Sequence, residues 1–352
     1  MNIYNILDML CEQRGSDIHL IAGVPPILRV DGDLVAVPGV PALGEQELSI
    51  LIDPLMNAQQ QEEFKKRGEW DFAYQHEDKG RFRVNVYQAQ GKKAAALRLI
   101  PTKIMTIEEL NLPPIFQLLA TKKQGLVLVT GPTGEGKSTS LAALIDRINS
   151  TRNEHILTIE DPIEFIYEPK QSIISQRELN EDTQSWAVAL KSALRQDPNV
   201  VLVGEMRDYD TMAMAITVAE TGHLVLATLH TSSAAQTVDR IIDTFPGAQQ
   251  DQIRQQVAAS LEAVVSQRLL KRVGGGRVAA FEVMSVNSGI RNLIREGKTY
   301  QIDNILQTTA NEGNMLIETS LFDLVRRDMI TREDAMRTAF RPGQLGRMLG
   351  GS

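Results

Sequence analysis

The glycine-framed loop "GPTGEGKST" at residues 131–139 follows directly on the apolar run "LVLVT" and leads into "SLAALIDRINS". An apolar run of that length predicts a strand buried on both faces, and the segment after Lys137 carries helical periodicity. This junction constrains the chain strongly, because a strand buried on both faces needs parallel neighbours and covering helices. The neighbours stand downstream. "HILTIEDP", "NVVLVGE" and "HLVLATLH" read as short apolar strands, with "TQSWAVALKSALRQDP" and "DTMAMAITVAETG" as the helices between them. The implied fold is α/β with a parallel sheet.

The remaining chain of 352 residues divides around this core. Residues 1–100 read as a smaller α+β domain. In "MNIYNILDMLCEQRGSD" Ile3, Ile6, Leu7 and Leu10 share one helical face, and "PILRVDGDLVAV" alternates around Asp31-Gly32, a hairpin signal. "EQELSILIDPLM" and "AQQQEEFKKRG" read as helices, and "GRFRVNVYQAQGKKAAALRLIP" as a hairpin turning at Gln90-Gly91. Residues 101–114, with three prolines and no consistent period, read as a linker. The α/β core is then expected over 115–287 and a helical region over 288–352, with "VGGGR" at 273–277 as a loop tip.

Composition excludes several function classes. The single cysteine, Cys11, rules out an internal disulfide and a multi-cysteine zinc site. A net charge of −7 and a pI near 5.4 argue against a nucleic-acid-coating protein. The apolar runs are strand-length, far short of a membrane span, and the N-terminus shows no signal-peptide pattern. The expected location is cytoplasmic.

Residues 131–138 fit G-x-x-x-x-G-K-[ST]. Glycines let backbone N–H groups curl around phosphate oxygens, and the following helix adds its positive end. Lys137 would reach the β- and γ-phosphates and Ser138 would ligate Mg²⁺, so the loop is read as holding a nucleoside triphosphate. In open parallel sheets, ligand-contacting residues gather at the C-terminal strand ends. Three segments deliver candidates there: Glu160-Asp161 with Glu164 just beyond, Gly204-Glu205, and Thr228 to His230. A metal shared by His223 and His230 is excluded, because the strand between them separates the two by about 23 Å.

The segments "GPTGEGKST", "TIEDPIEF", "LVGEMRD" and "TGHLVLATLHTSSAAQTVDRIIDTFP" resemble the Walker A, Asp box, Walker B and His box of the type II/IV secretion ATPases. "GSDIHLIAGVPPILRVDGDL" and "IRNLIREGKTYQI" narrow the resemblance to the PilT-like type IV pilus retraction ATPases, and it runs essentially end to end. The resemblance implies a PAS-like N-terminal domain on a RecA-like core, assembled as a homo-hexamer that hydrolyses ATP with Mg²⁺. It implies that the ring drives an inner-membrane platform protein to extract pilin, with an accessory retraction ATPase as a further partner. It places the ring at the inner face of the cytoplasmic membrane, held there only through partners, with no role for nucleic acid. The other reading is an accessory nucleotide-binding subunit of such a ring, with weak turnover.

By motif, the resemblance assigns Gly131, Pro132, Thr133, Gly134, Glu135, Gly136, Lys137, Ser138 and Thr139 to the nucleotide loop. Glu205 becomes the glutamate that polarises the attacking water, and Glu164 the acid that helps Mg²⁺ or the water. His230 would sense the γ-phosphate, and His223 would sit nearer an interface. Two positions depart from the family: Glu135 stands where a small residue is usual, and Gly204-Glu205 replaces an acidic pair. A carboxylate beside a triphosphate is expected to repel it by about 0.5–1 kcal/mol when solvent-screened.

Two arginine sets complete the candidates. Phe82, Val84 and Val86 face one way, so Arg81 and Arg83 face the other. A two-residue turn at Gln90-Gly91 sets Arg83 opposite Arg98, and like charges so placed repel. Either solvent screens this face or it closes on the triphosphate as an arginine finger. In "SGIRNLIREGKTYQI" Ser288 is a plausible N-cap, and Ile290, Leu293 and Ile294 form an apolar side. Packing requires neither Arg291 nor Arg295 there, and the family resemblance links this stretch to pilus withdrawal.

Overall fold

The computed structural model describes residues 2–13, 15–30, 32–77, 80–100 and 103–350. They fall into two units, one formed by 1–103 with 162–166, the other by 104–161 with 167–352.

The first unit runs α1 (Ile3–Glu12), β1 (Asp17–Leu20), β2 (Ile27–Val30), β3 (Asp33–Ala36), α2 (Glu45–Ile52), α3 (Ala58–Arg67), β4 (Glu69–His76), β5 (Gly80–Ala89) and β6 (Lys92–Ile100). Its six strands form an antiparallel sheet in the order β3-β2-β1-β6-β5-β4. The apolar face of α1, Ile3, Ile6, Leu7 and Leu10, is buried as its period demands, against Phe82, Val84 and Val86 among others. Val30 pairs with Asp33, so the second and third strands make the hairpin expected there, while Asp31 itself lies outside the described residues, as do Pro101 and Thr102 of the linker. Strands β1 and β4 were not evident from sequence.

Gln90 and Gly91 both take positive φ, 53° and 73°, which is the two-residue turn whose twist matches a hairpin. Arg83 therefore stands opposite Arg98. Their repulsion is relieved from within the unit. Arg98 Nε donates to Asp17 Oδ1 at 2.8 Å, Arg29 Nε lies 3.8 Å from the other Asp17 oxygen, and Arg83 Nε lies 3.8 Å from Asp71. Burial pushes the Asp17 carboxyl up, but hydrogen bonds from Ser16 and Arg98 outweigh it and hold it below its ordinary 3.8.

The second unit opens with α4 (Ile115–Leu119) and continues β7 (Gly125–Thr130), α5 (Lys137–Thr151), β8 (His155–Glu160), β9 (Ile173–Glu178), α6 (Trp186–Ala193), β10 (Val200–Val203), α7 (Tyr209–Glu220) and β11 (Leu224–Leu229). After α8 (Ala234–Asp243) and α9 (Gly247–Ser260) the hairpin β12 (Leu261–Lys271) and β13 (Arg277–Ser285) closes the sheet. The order is β13-β12-β7-β11-β10-β8-β9, parallel except for the edge strand β13. Strands β7, β10 and β11 are buried at every residue, as strands covered on both faces must be.

Among the described residues, helices follow: α10 (Ser288–Arg295), α11 (Ile302–Thr308), α12 (Ile317–Arg326), α13 (Arg332–Thr338) and α14 (Pro342–Met348), besides short 3-10 turns and one bridge from Met315 to Val283. No helix among the described residues is long and apolar enough to cross a membrane. Helix α10 is capped by Asn287, whose side chain accepts from Ile290 N, and not by Ser288, which is its first residue. Arg291 is also not free. Its guanidinium donates to the carbonyls of Ala258 and Ala259 at 2.6 and 2.8 Å, closing the end of α9, and to Glu262 at 2.7 Å. Arg295 is exposed.

Asp17→Asn removes the charge between Arg29 and Arg98 and is expected to destabilise the first unit by about 1 kcal/mol at pH 7. A carboxyl held below its unfolded value stabilises above that value and loses the contribution as pH falls through the folded one. The deficit of the variant should therefore shrink below pH 4. Urea melts followed by Trp70 fluorescence in a Trp186→Phe background, at pH 7 and pH 3, check both statements.

Candidate active site

The loop between β7 and α5 is built on three glycines with positive φ: Gly131 at 142°, Gly134 at 85° and Gly136 at 81°. A Cβ on Gly131 would stand 2.5 Å from the Gln267 carbonyl oxygen, so close approach excludes a side chain there. Gly134 has open space around it and is glycine for its backbone alone. Such left-handed steps turn successive N–H groups inward and make an anion-binding nest, which the start of α5 extends. Lys137 opens that helix with 8% exposure and folds back over the loop, donating from Nζ to the carbonyls of Gly131 at 2.7 Å and Pro132 at 2.9 Å. Pro132, Ser138 and Thr139 are half-buried beside it, and Thr133 is exposed. A glycine nest, a helix start and an ammonium in one turn of chain fit the phosphates of a nucleotide.

What holds the nest open comes from β12. Strand β7 ends at Thr130, paired with Ser266, and their hydroxyls meet at 2.8 Å. The next residue, Gln267, is 3% exposed. Its amide donates to the Glu135 carbonyl at 2.7 Å and accepts from Ser140 Oγ at 2.8 Å, joining the loop to the first turn of α5. The Glu135 carboxylate accepts the backbone N–H of Leu269. Glu135 thus turns its carboxylate to the edge of β12. It ties the loop to the strand edge, a role its position in the sequence did not suggest, and Gln267 carried no sequence signal at all.

Sheet order brings the next groups alongside. Leu229 of β11 pairs with Thr130, and its carbonyl accepts from Gly131 N at 3.2 Å, so His230 leaves the sheet beside the loop. The adjacent β10 runs into Gly204 and Glu205, with Thr228 Oγ1 donating to the Gly204 carbonyl at 2.6 Å. The Glu205 carboxylate meets His230 Nε2 at 3.0 Å on one oxygen and Arg207 Nε at 2.8 Å on the other. Glu205 and His230 are therefore one cluster, and Arg207 joins it.

Glu160 ends β8 on the same edge, level with Gly204, and is buried. Asp161 and Glu164 are exposed, and Glu164 falls in the stretch 162–166 that groups with the first unit. Other candidates are placed apart. His223 precedes β11, at the opposite end from His230, and its Nδ1 lies 3.0 Å from the Val218 carbonyl near the end of α7. Arg81, Arg83 and Arg98 belong to the first unit, where Arg83 and Arg98 already face Asp71 and Asp17.

These contacts decide between two effects of Glu135. Screened repulsion is worth about 0.5–1 kcal/mol, while a hydrogen bond to a charged group contributes about 1.5–3 kcal/mol. Losing the brace outweighs relieving the repulsion, so Glu135→Ser should weaken nucleotide binding severalfold, and Gln267→Leu should weaken it about tenfold. Titration with ADP at two salt concentrations checks this, and tighter binding by Glu135→Ser at low salt would restore repulsion as the dominant effect.

Residues 73–275 match the family model described as type II/IV secretion system protein. The chain is 46% identical to the type IV pilus retraction ATPase PilT of Pseudomonas aeruginosa, over 97% of this chain and 99% of that one. It is 47% identical to a twitching motility protein of Neisseria gonorrhoeae, over 96% of this chain and 91% of that one. A crystal structure of the pilus retraction motor PilT with bound ADP superposes with a TM-score of 0.93 at 44% identity, over 99% of both chains. With its glycine nest, its strand-end glutamate and this end-to-end likeness, the chain belongs to the type II/IV secretion system protein family, in the branch of PilT-like pilus retraction ATPases.

Proposed function

We propose that this chain is an ATP-hydrolysing motor for type IV pilus retraction, working as a homo-hexamer on an inner-membrane platform protein, at the cytoplasmic face of the membrane. The observation that carries the reading is the pairing of Glu205 with His230 beside a braced phosphate nest, in a chain alike from end to end to PilT.

In this reading Lys137 leaves the loop carbonyls for the β- and γ-phosphates, and the nest N–H groups take the remaining oxygens. The Ser138 hydroxyl would hold Mg²⁺, with Glu164 as a further candidate, and the ion would neutralise phosphate charge. Glu205 orients the attacking water. One of its oxygens is held by Arg207, which fixes the carboxylate plane, and the other by His230. A γ-phosphate that draws His230 toward itself frees that oxygen for water, so phosphate sensing and water activation are one event. Arg81, Arg83 and Arg98 would add positive charge when the first unit of the same or a neighbouring chain closes. To do so Arg83 and Arg98 must exchange Asp71 and Asp17 for phosphate.

Glu205→Gln keeps the side-chain shape but orients water poorly. ATP binding should persist while phosphate release falls a hundredfold or more. Loss of binding together with turnover would make Glu205 a structural residue. The same assay on the unmutated protein separates a motor from a weakly active accessory subunit.

Coupling to the pilus is assigned to Arg295 alone, because Arg291 is spent on closing α9. Arg295→Ala should leave ATP turnover and melting temperature unchanged and abolish twitching in cells. Arg291→Ala should lower the melting temperature by several degrees, since it strands two carbonyls and leaves the Glu262 carboxylate to Lys122 alone. Equal loss of turnover and twitching in Arg295→Ala would place this stretch in the engine.

A further inference from the structure

Glu282 is a carboxylate inside the core, 1% exposed on β13 among buried Phe281, Val283 and Met284. One oxygen accepts the backbone N–H of Ala234 at 2.8 Å, and the other has no hydrogen-bond partner among the described residues. Ala234 is the first residue of α8 and fully buried. The leading N–H groups of a helix have no acceptor within it, and water does not reach this one, so Glu282 supplies the acceptor.

The segment held this way is the one that carries His230. His230, Thr231, Ser232 and the N-cap Ser233 lead straight into Ala234, and Thr231 Oγ1 meets Thr237 Oγ1 at 2.6 Å. The strand that carries Glu282 packs on the C-terminal helices, where the Phe281 N–H donates to Ser320 Oγ of α12 at 3.0 Å, and three charged groups of these helices act on Glu282. Asp303 comes from α11, Glu318 from α12 and Arg341 from the start of α14. Arg341 donates from its guanidinium to Asp303 and, at 3.2 Å, to Glu318, whose other oxygen accepts the Arg341 N–H at 2.7 Å. The adjacent Phe340 lies under the Arg268 guanidinium of β12 at 5.6 Å. Asp303, Phe340 and Arg341 share an open cleft of about 330 Å³ with Ser232, Ser233 and Gln236. The start of α8 and the C-terminal helices thus share one cleft, and Glu282 holds the first N–H of α8.

We propose that Glu282 is a positioning residue, tying the His230–Ser233 segment to β13 beside the Asp303–Arg341–Glu318 cluster, so that the C-terminal helices packed on β13 set where His230 stands against Glu205. The inference rests on the reading of Glu205 and His230 as hydrolytic groups. It explains why a carboxylate is kept where an apolar residue would pack. Burial pushes the carboxyl up to about 7, with Asp303 and Glu318 adding to the rise and the Ala234 N–H and Arg341 opposing it. The tie therefore changes charge near neutral pH.

The test uses the full chain with Glu282→Leu, which removes the acceptor, and Glu282→Gln, which keeps an oxygen for Ala234 N–H without a charge. A misplaced reacting group far from the mutation costs tenfold to a hundredfold. Glu282→Leu should lower kcat for ATP at least tenfold with KM within about twofold. Glu282→Gln should recover most of that kcat and lose the inflection near pH 7 in the kcat profile. A carboxyl raised above its unfolded value favours folding below the unfolded pKa and loses that contribution as pH rises through about 7. Glu282→Gln should therefore gain melting temperature over the unmutated protein more at pH 8 than at pH 6. Unchanged kcat in Glu282→Leu, equal impairment by both substitutions, or a pH profile shared by Glu282→Gln and the unmutated chain overturns the inference. If Glu282→Leu does not fold, the Glu282→Gln profile decides. If the unmutated chain releases no phosphate, the proposed function fails, and the melting series still decides whether Glu282 carries the tie.

Discussion

Past Thr130 strand β7 becomes the loop while β12 continues to Lys271, and the edge of β12 left bare there is what gives the loop its shape. A bare strand edge carries N–H groups that need acceptors, and a glycine loop carries carbonyls and freedom that need restraint. Each meets the other's need. The Leu269 N–H goes to the Glu135 carboxylate, and the Gln267 amide spans from the Glu135 carbonyl to Ser140 on α5. Glycine makes the three left-handed turns possible, and β12 makes them persist. The nest is a property of two strands, one of them distant in sequence.

The same logic of strand ends organises the chemistry. In a parallel sheet every C-terminal end faces one edge, so loops after β7, β10 and β11 cannot avoid one another. Gly204 keeps β10 close, since a Cβ there would meet Glu160, Ile159 and Trp186 at 3.3 Å. Glu205 and His230 then meet at 3.0 Å without any interaction designed solely for them. On the far side of His230, α8 begins against Glu282, and the sheet hands its geometry on to the C-terminal helices.

The first unit shows electrostatics settled locally. Hairpin twist forces Arg83 against Arg98, and carboxylates on neighbouring strands, Asp71 and Asp17, stand where they blunt the repulsion. This arginine face carries its own counter-charges. It differs from a bare cationic face in that freeing Arg98 has a cost set by Asp17, which is buried and held below its ordinary pKa.

By itself the sequence determined whatever is encoded over a few neighbouring residues. The buried strands, the helix faces such as Ile3-Ile6-Leu7-Leu10, the glycine loop and the Gln90-Gly91 turn are local patterns, and the register of Arg83 on Arg98 follows from that turn. The acids and imidazole at strand ends were legible because sheet topology puts them on one edge. Tertiary structure alone decided the rest. The hairpin of β12 and β13 went unread because Ser266, Gln267 and Arg268 interrupt its apolar pattern, and two of these are polar because they serve the loop. Glu135 and Gln267 act on partners 127 to 134 positions away in the chain, and Arg291 on carbonyls 32 and 33 residues away. A side chain's period tells which way it faces. It does not tell which backbone group will be left without a partner there, and that need arises only once the strands and helices have packed.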